Sequence, residues 1–154
     1  MSQSFDTKLT LSQSEILEIQ KNRPPMLMVD RADELLPLKK VIGIRAYHPD
    51  EWFFKCHWPG DPNVPGVLHL ESMFQTASLA ILFLEEFRGK AMYLNKIENA
   101  YFKRKILPNS NTVIDADIIS FRHGIAKCSA KILDHDGEIF SHAKFTLAIP
   151  MKVR

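Results

Sequence analysis

His57 and Glu71 stand fourteen residues apart in the run HWPGDPNVPGVLHLE, and as a base and an acid they could remove one proton and supply another. Between them, Pro59, Pro62 and Pro65 fix backbone φ angles, while Gly60 and Gly66 allow conformations and close approaches that a side chain would block. Such a loop would hold the histidine still. A tight surface turn carrying an incidental histidine is the plain alternative.

From Gly66 to about Phe87 the segment GVLHLESMFQTASLAILFLEEF has no helix breaker and is apolar nearly all round, which predicts a long buried helix closed by Arg88-Gly89. Glu71 falls about one and a half turns into it. Val67, Glu71 and Gln75 follow one another at i, i+4 and i+8, with Ser78 three further on, so the few polar groups share one stripe. Burial of Glu71 among Leu68, Leu70, Met73 and Phe74 would favour its neutral, proton-donating form. Gln75 could orient that carboxyl, or the two could form a purely structural hydrogen bond. The amides of Gly66 and Val67, at the helix start, lack intrahelical partners and could stabilise negative charge on a carbonyl oxygen. A base, a neutral acid and an oxyanion site are the parts needed to take a proton α to a carbonyl and expel a β-hydroxyl, a dehydration.

Other chemistries fit less well. His69 and Glu71 are two apart on a helix and point about 200° from each other, so no metal site is expected from them. Neither a GxSxG elbow nor a GxxxxGK[ST] phosphate loop is present, and no cofactor is expected.

Around this centre, Ser12 and Glu15 have capping-box spacing ahead of a short helix, SEILEIQ, that stops at Arg23-Pro24-Pro25. MLMVDRADELL and KKVIGIRAYH read as strands, and Trp52-Phe53-Phe54 is a short apolar segment leading into the loop. Beyond the long helix, AMYLNKIENAYF, NTVIDADIISF, GIAKCSAKIL and EIFSHAKFTLAI read as four more strands, with hairpin turns at Arg122-His123-Gly124 and Asp134-His135-Asp136-Gly137. One buried helix with about six strands around it is an α+β design, best satisfied by an antiparallel sheet curling over the helix.

The 154 residues are expected to form one domain, 1–154. A net charge of +2 argues against nucleic acid as a partner, and Cys56 and Cys128 suit a reducing cytoplasm. The start MSQSFDTKLTLSQSE lacks the pattern of a signal peptide, and no apolar run reaches the length of a membrane span.

With these residues in view, the chain resembles the 3-hydroxyacyl-[acyl-carrier-protein] dehydratases of the FabZ/FabA type. The run from His57 follows the family's HFPGxPxMPGVLxxE pattern, with Trp58 for Phe and Val64 for Met, and the likeness extends to NRPPMLMVDR (22–31) and AYFKR (100–104). The resemblance implies a hotdog fold, an antiparallel β-sheet wrapped around one long central α-helix. It implies dehydration of (3R)-3-hydroxyacyl thioesters on acyl carrier protein to trans-2-enoyl thioesters, in fatty acid or related polyketide-type acyl chain synthesis. His57 would take the Cα proton, Glu71 would handle the β-hydroxyl or the water derived from it, and Gly66 would donate its amide to the thioester carbonyl. Val67 and Gln75 join the substrate-binding set. At least a homodimer is implied, with the histidine of one subunit beside the acid of the other. Glu71 resembles the FabZ branch, since FabA enzymes use aspartate there, whereas Cys56 and Asp61 look more like FabA. Asn22 stands where FabZ enzymes usually carry histidine and Asn109 where they usually carry glycine; neither is expected to touch the chemistry. Lys103, Arg104 and Lys105 are candidates for docking an acidic carrier protein, or form a solvated strand end. A thioesterase and a non-catalytic acyl-binding subunit are the competing functions on such a fold.

Overall fold

The computed structural model describes residues 8–150; the first seven residues, which carry part of the amino-terminal reading, lie outside it. Along the chain run β1 (Leu9–Leu11), α1 (Gln13–Ile19), β2 (Arg31–Leu36), β3 (Lys40–Ala46), α2 (Trp52–Cys56), α3 (Gly66–Leu82), β4 (Tyr93–Phe102), β5 (Asn111–Arg122), β6 (Ile125–Leu133) and β7 (Ile139–Ala148). All seven strands join one antiparallel sheet in the order β1-β2-β3-β5-β6-β7-β4. Having crossed under the sheet as α3, the chain re-enters at the far edge as β4, and the β5–β6–β7 meander fills the space back to β3. The sheet curls over α3, which packs on β2, β3, β5, β6 and β7.

The helix is buried as its composition predicts: fourteen of its seventeen residues are inside. It ends at Leu82 rather than near Phe87, because the following residues fold back in turns and the Gly89 amide donates to the Ile19 carbonyl (2.7 Å), joining the end of the helix to α1. The capping box at Ser12 and Glu15 forms with both of its hydrogen bonds.

Two expectations need correction, and one short segment gains its structure. The sheet has seven strands, since the short edge strand β1 pairs with β2. Within MLMVDRADELL only Arg31–Leu36 is strand, because residues 26–28 instead bond to a side chain of α3. Trp52-Phe53-Phe54 opens the short helix α2, burying Phe53 and Phe54 and leaving Trp52 exposed.

β5 and β6 bury alternate residues as half-covered strands should, and β7 buries residues on both faces, whereas β4 buries none fully and exposes Tyr93, Leu94, Ile97, Tyr101 and Phe102 along the sheet edge. The β5–β6 turn carries His123 and Gly124 with φ of 49° and 76°, the positive pair that a two-residue hairpin turn of matching twist requires.

α3 lies close against the sheet at Gly43. A β-carbon there would lie 2.8 Å from Thr76 Cγ2 and 2.9 Å from Thr76 Oγ1, inside a fully buried contact. Gly43→Ala should therefore destabilise the fold by about 1–3 kcal/mol. Adding Thr76→Ala should return most of the loss, read as paired urea midpoints; equal midpoints for parent and Gly43→Ala would show that the contact yields freely.

Candidate active site

The histidine is held from both ends of a short element. Arg45 bonds Asp30 (3.0 Å) and Glu51, and Glu51 is the residue before α2, so this ion-paired group fixes where α2 begins. At its other end the His57 amide donates to the Phe53 carbonyl (2.8 Å). The half-buried imidazole stacks on Trp58, with centroids 4.6 Å apart and planes 15° from parallel. Its Nδ1 lies 3.1 Å from the main-chain carbonyl of Asn63. A carbonyl only accepts, so Nδ1 carries the proton and Nε2 keeps its lone pair. The imidazole is thus set in the tautomer of a general base.

The loop that supplies this carbonyl has ties of its own. Asn63, buried, donates to the Asp61 carbonyl (2.8 Å), Val64 donates to the Ile106 carbonyl (2.9 Å), and Lys105 pairs with the Asp61 carboxylate. Pro65 then leads into α3, where the amides of Gly66 and Val67 donate to no other described residue. A β-carbon at Gly66 would sit 3.2 Å from the Phe102 ring, so glycine lets the helix start lie against β4. Trp58, Asn63, Gly66, His69 and Phe102 line a shallow cleft here, and residues 103–105 continue it. Val67 is 70% exposed.

Glu71 belongs to a different hollow. It is half-buried rather than fully enclosed, because it faces a cavity of about 200 Å³ whose lining also includes Asn22, Gln75, Ser78, Leu82 and Met92. The polar stripe on the helix is real. Gln75 Nε2 donates to Glu71 Oε1 (2.7 Å) and to the Met26 carbonyl (2.7 Å), while Gln75 Oε1 accepts from the Met28 amide (2.7 Å). Asn22 Nδ2 also donates to Glu71 Oε1 (3.3 Å), so the expectation that Asn22 stays clear of the proposed chemistry is wrong. Asn109 does stay away, in the left-handed region at φ 67° that asparagine tolerates. No ion pair or hydrogen bond joins His57 to Glu71 among the described residues, and the two hollows share no lining residue.

The basic run is less free than its sequence suggests. Arg104 bonds Asp134 (2.8 Å) and the carbonyls of Glu138 and Ile139, and stacks over Phe140. Lys105 is taken by Asp61. The Lys103 side chain is exposed and bonds no described residue.

A helix wrapped by a curled antiparallel sheet makes this a hotdog-fold protein. Solved structures share the fold: a chain of the dehydratase heterocomplex ApeI:P from Xenorhabdus doucetiae superposes with a TM-score of 0.76 at 12% identity, over 89% of this chain and 91% of that one. An uncharacterized protein from Pyrococcus horikoshii gives 0.66 at 13% identity, over 88% and 93%. The FabA-like domain model matches residues 21–143. Among curated relatives, the 3-hydroxyacyl-[acyl-carrier-protein] dehydratase FabZ of Clostridium novyi is 36% identical over 84% of this chain and 91% of its own length. That of Syntrophomonas wolfei is 38% identical over 81% and 87%. The chain belongs to the FabA-like family, and within it to the FabZ-type dehydratases.

Sequence reasoning passed over three participants. The Asn63 carbonyl is main chain and leaves no mark beyond the length of the loop. Asn22 is far from Glu71 in sequence, and its one signal was its departure from the family histidine. His69 was weighed only as a metal ligand and is a buried imidazole, 2% exposed, with Nδ1 3.1 Å from Ser141 Oγ and its ring edge-on to Phe102.

Burial pushes His69 down to about 4, the nearby Val64 carbonyl opposing part of that. In an unfolded chain the ring titrates near 6.5. Its contribution is therefore complete above about pH 6.5 and is lost progressively as pH falls toward about 4, where the unfolded chain binds a proton that the folded chain refuses. Up to about 3 kcal/mol is at stake. His69→Leu should flatten the dependence of the urea midpoint on pH between 6.5 and 4; an unchanged slope would place the acid sensitivity elsewhere.

Proposed function

We propose that this chain eliminates water from 3-hydroxyacyl thioesters carried on acyl carrier protein, giving trans-2-enoyl thioesters in fatty acid or related acyl chain synthesis. The activity is the one its relatives are named for. The observation that carries it to these residues is the Asn63 carbonyl on His57 Nδ1, which leaves Nε2 free to take the Cα proton. The Gly66 amide, aided by Val67, receives the thioester carbonyl and stabilises the charge that develops on its oxygen. A carboxyl at Glu71 protonates the departing β-hydroxyl, with Gln75 fixing its orientation. A thioesterase reading has only the shared fold behind it.

In this reading the site spans two copies of the chain, each forming one hotdog domain over residues 1–154. Support comes from the two separate hollows, one lined by Gly66 together with Trp58 and Asn63 of the loop that holds the base, the other lined by the acid. It comes also from β4, an open sheet edge carrying exposed aromatic and aliphatic side chains between them. Pairing of two β4 edges would bring His57 of one protomer toward the partner's Glu71. The reaction is placed in the cytoplasm, with no cofactor. No helix among the described residues is long and apolar enough to cross a membrane.

His57→Ala and Glu71→Ala should each cut dehydration of a 3-hydroxyacyl thioester by orders of magnitude. Mixed under conditions that exchange subunits, they should recover about a quarter of the parent sites, since half the dimers are mixed and each holds one intact pair. No recovery after exchange has been confirmed by mass would put both residues in one chain.

Carrier docking rests on Lys103 in this reading, since Arg104 and Lys105 are engaged. Lys103→Glu should lower kcat/KM severalfold for a carrier-linked substrate at low salt and leave a pantetheine-linked one nearly unchanged. Equal effects on both would move the docking surface elsewhere.

A further inference from the structure

The acid's two oxygens are not equivalent. Glu71 Oε1 accepts from both Gln75 Nε2 (2.7 Å) and Asn22 Nδ2 (3.3 Å), while Oε2 accepts from no described residue. Only the amide nitrogen of an asparagine can donate to a carboxylate, so the orientation of the Asn22 side chain is fixed by its neighbour. Nor is Asn22 loosely placed. Arg23 grips its stretch of main chain, donating to the carbonyls of Leu17 (2.9 Å), Gln20 (2.8 Å) and Asn22 itself (2.9 Å). Downstream, Met26 and Met28 are bonded to Gln75, and upstream Ser78 donates to Gln20 Oε1 (3.4 Å). The segment bearing Asn22 is thereby laced to the same stripe of α3 that bears Glu71.

We infer that Asn22 is a positioning residue for the acid: with Gln75 it occupies Glu71 Oε1 and so confines the transferable proton to Oε2. The inference rests on the dehydratase reading above. In the reactive form Oε1 is the carbonyl oxygen and takes both N–H donors, and Oε2 bears the hydrogen. That proton passes to the β-hydroxyl oxygen as the Cβ–O bond breaks and water leaves. The electrons of the Cα–H bond become the new double bond, and the Cα proton stays on His57 Nε2. As the carboxylate forms, the two hydrogen bonds to Oε1 become charge-assisted. They strengthen between ground state and transition state, which raises kcat and leaves KM nearly untouched. A purely structural asparagine would produce no such division.

The charged groups around this carboxyl are few, which makes a pH profile readable. Lys21, beside Asn22, and Lys90, beyond the end of α3, are the charged side chains that line the same cavity, and the remainder of the lining is neutral. In the two-chain site, the partner's His57 joins them.

The experiment measures kcat, KM and the pH profile of 3-hydroxyacyl thioester dehydration for the parent, Asn22→Ala and Asn22→Asp. Asn22→Ala should lose about tenfold in kcat with KM within twofold, the size expected for one donor to a charged acceptor. Asn22→Asp, isosteric and usable should the alanine variant fail to fold, replaces a donor by a like charge. Its kcat should fall further, and the alkaline limb of its profile should move to higher pH, the direction a new like charge imposes on a carboxyl. An Asn22→Ala kcat within twofold of the parent, a loss confined to KM, or an unmoved alkaline limb in Asn22→Asp would overturn the assignment while the active parent upheld the dehydratase reading. A parent without turnover would overturn both.

Discussion

Gln75 is the residue on which the arrangement turns. Its amide is almost wholly buried, 3% exposed, and both of its ends are engaged with three different partners. Leaving any one of those groups unpaired inside the protein would cost about 1–3 kcal/mol. The helix therefore cannot shift along its axis without breaking its hold on the main chain of residues 26–28, and that segment cannot move without releasing the carboxyl. Structural and chemical requirements converge on one side chain. The same side chain that seats the segment before β2 also holds the Glu71 carboxyl.

The rest of the fold separates the two halves of the proposed site. On α3, Gly66 and Glu71 lie five residues apart, about 140° around the helix, so they open toward different hollows. The sheet covers the intervening face of the helix. β4, running along the edge between the hollows, is the strand that a second molecule could extend, and it leaves Tyr93, Leu94, Ile97, Tyr101 and Phe102 exposed.

Much of this was legible in the residues. The all-round apolar run marked the buried helix, i, i+4 spacing marked the Glu71–Gln75 bond, and the proline-rich loop marked His57 as fixed. What escaped depended on tertiary contacts between residues distant in sequence. MLMV has the composition of a strand, yet residues 26–28 find their partner in the Gln75 side chain, an option that no local pattern advertises. Trp52-Phe53-Phe54 is equally at home in a strand or a helix by composition, and the Arg45–Glu51 pair fixes the point where it turns helical. The number of basic residues at 103–105 was plain, but Asp61 and Asp134, which occupy two of them, lie 44 and 30 positions away.

The loop from His57 to Pro65 has no regular secondary structure beyond the end of α2, yet hydrogen bonds and an ion pair brace it and three prolines restrict it. Its conformational entropy is surrendered when the chain folds, and the prolines have already reduced that entropy in the unfolded state. Little ordering is left to oppose the arrival of a ligand. In the proposed reaction a thioester entering beside Gly66 would meet an imidazole whose tautomer the Asn63 carbonyl has already set, so binding energy from the remote parts of an acyl chain could be directed to the reacting carbons rather than to shaping the loop.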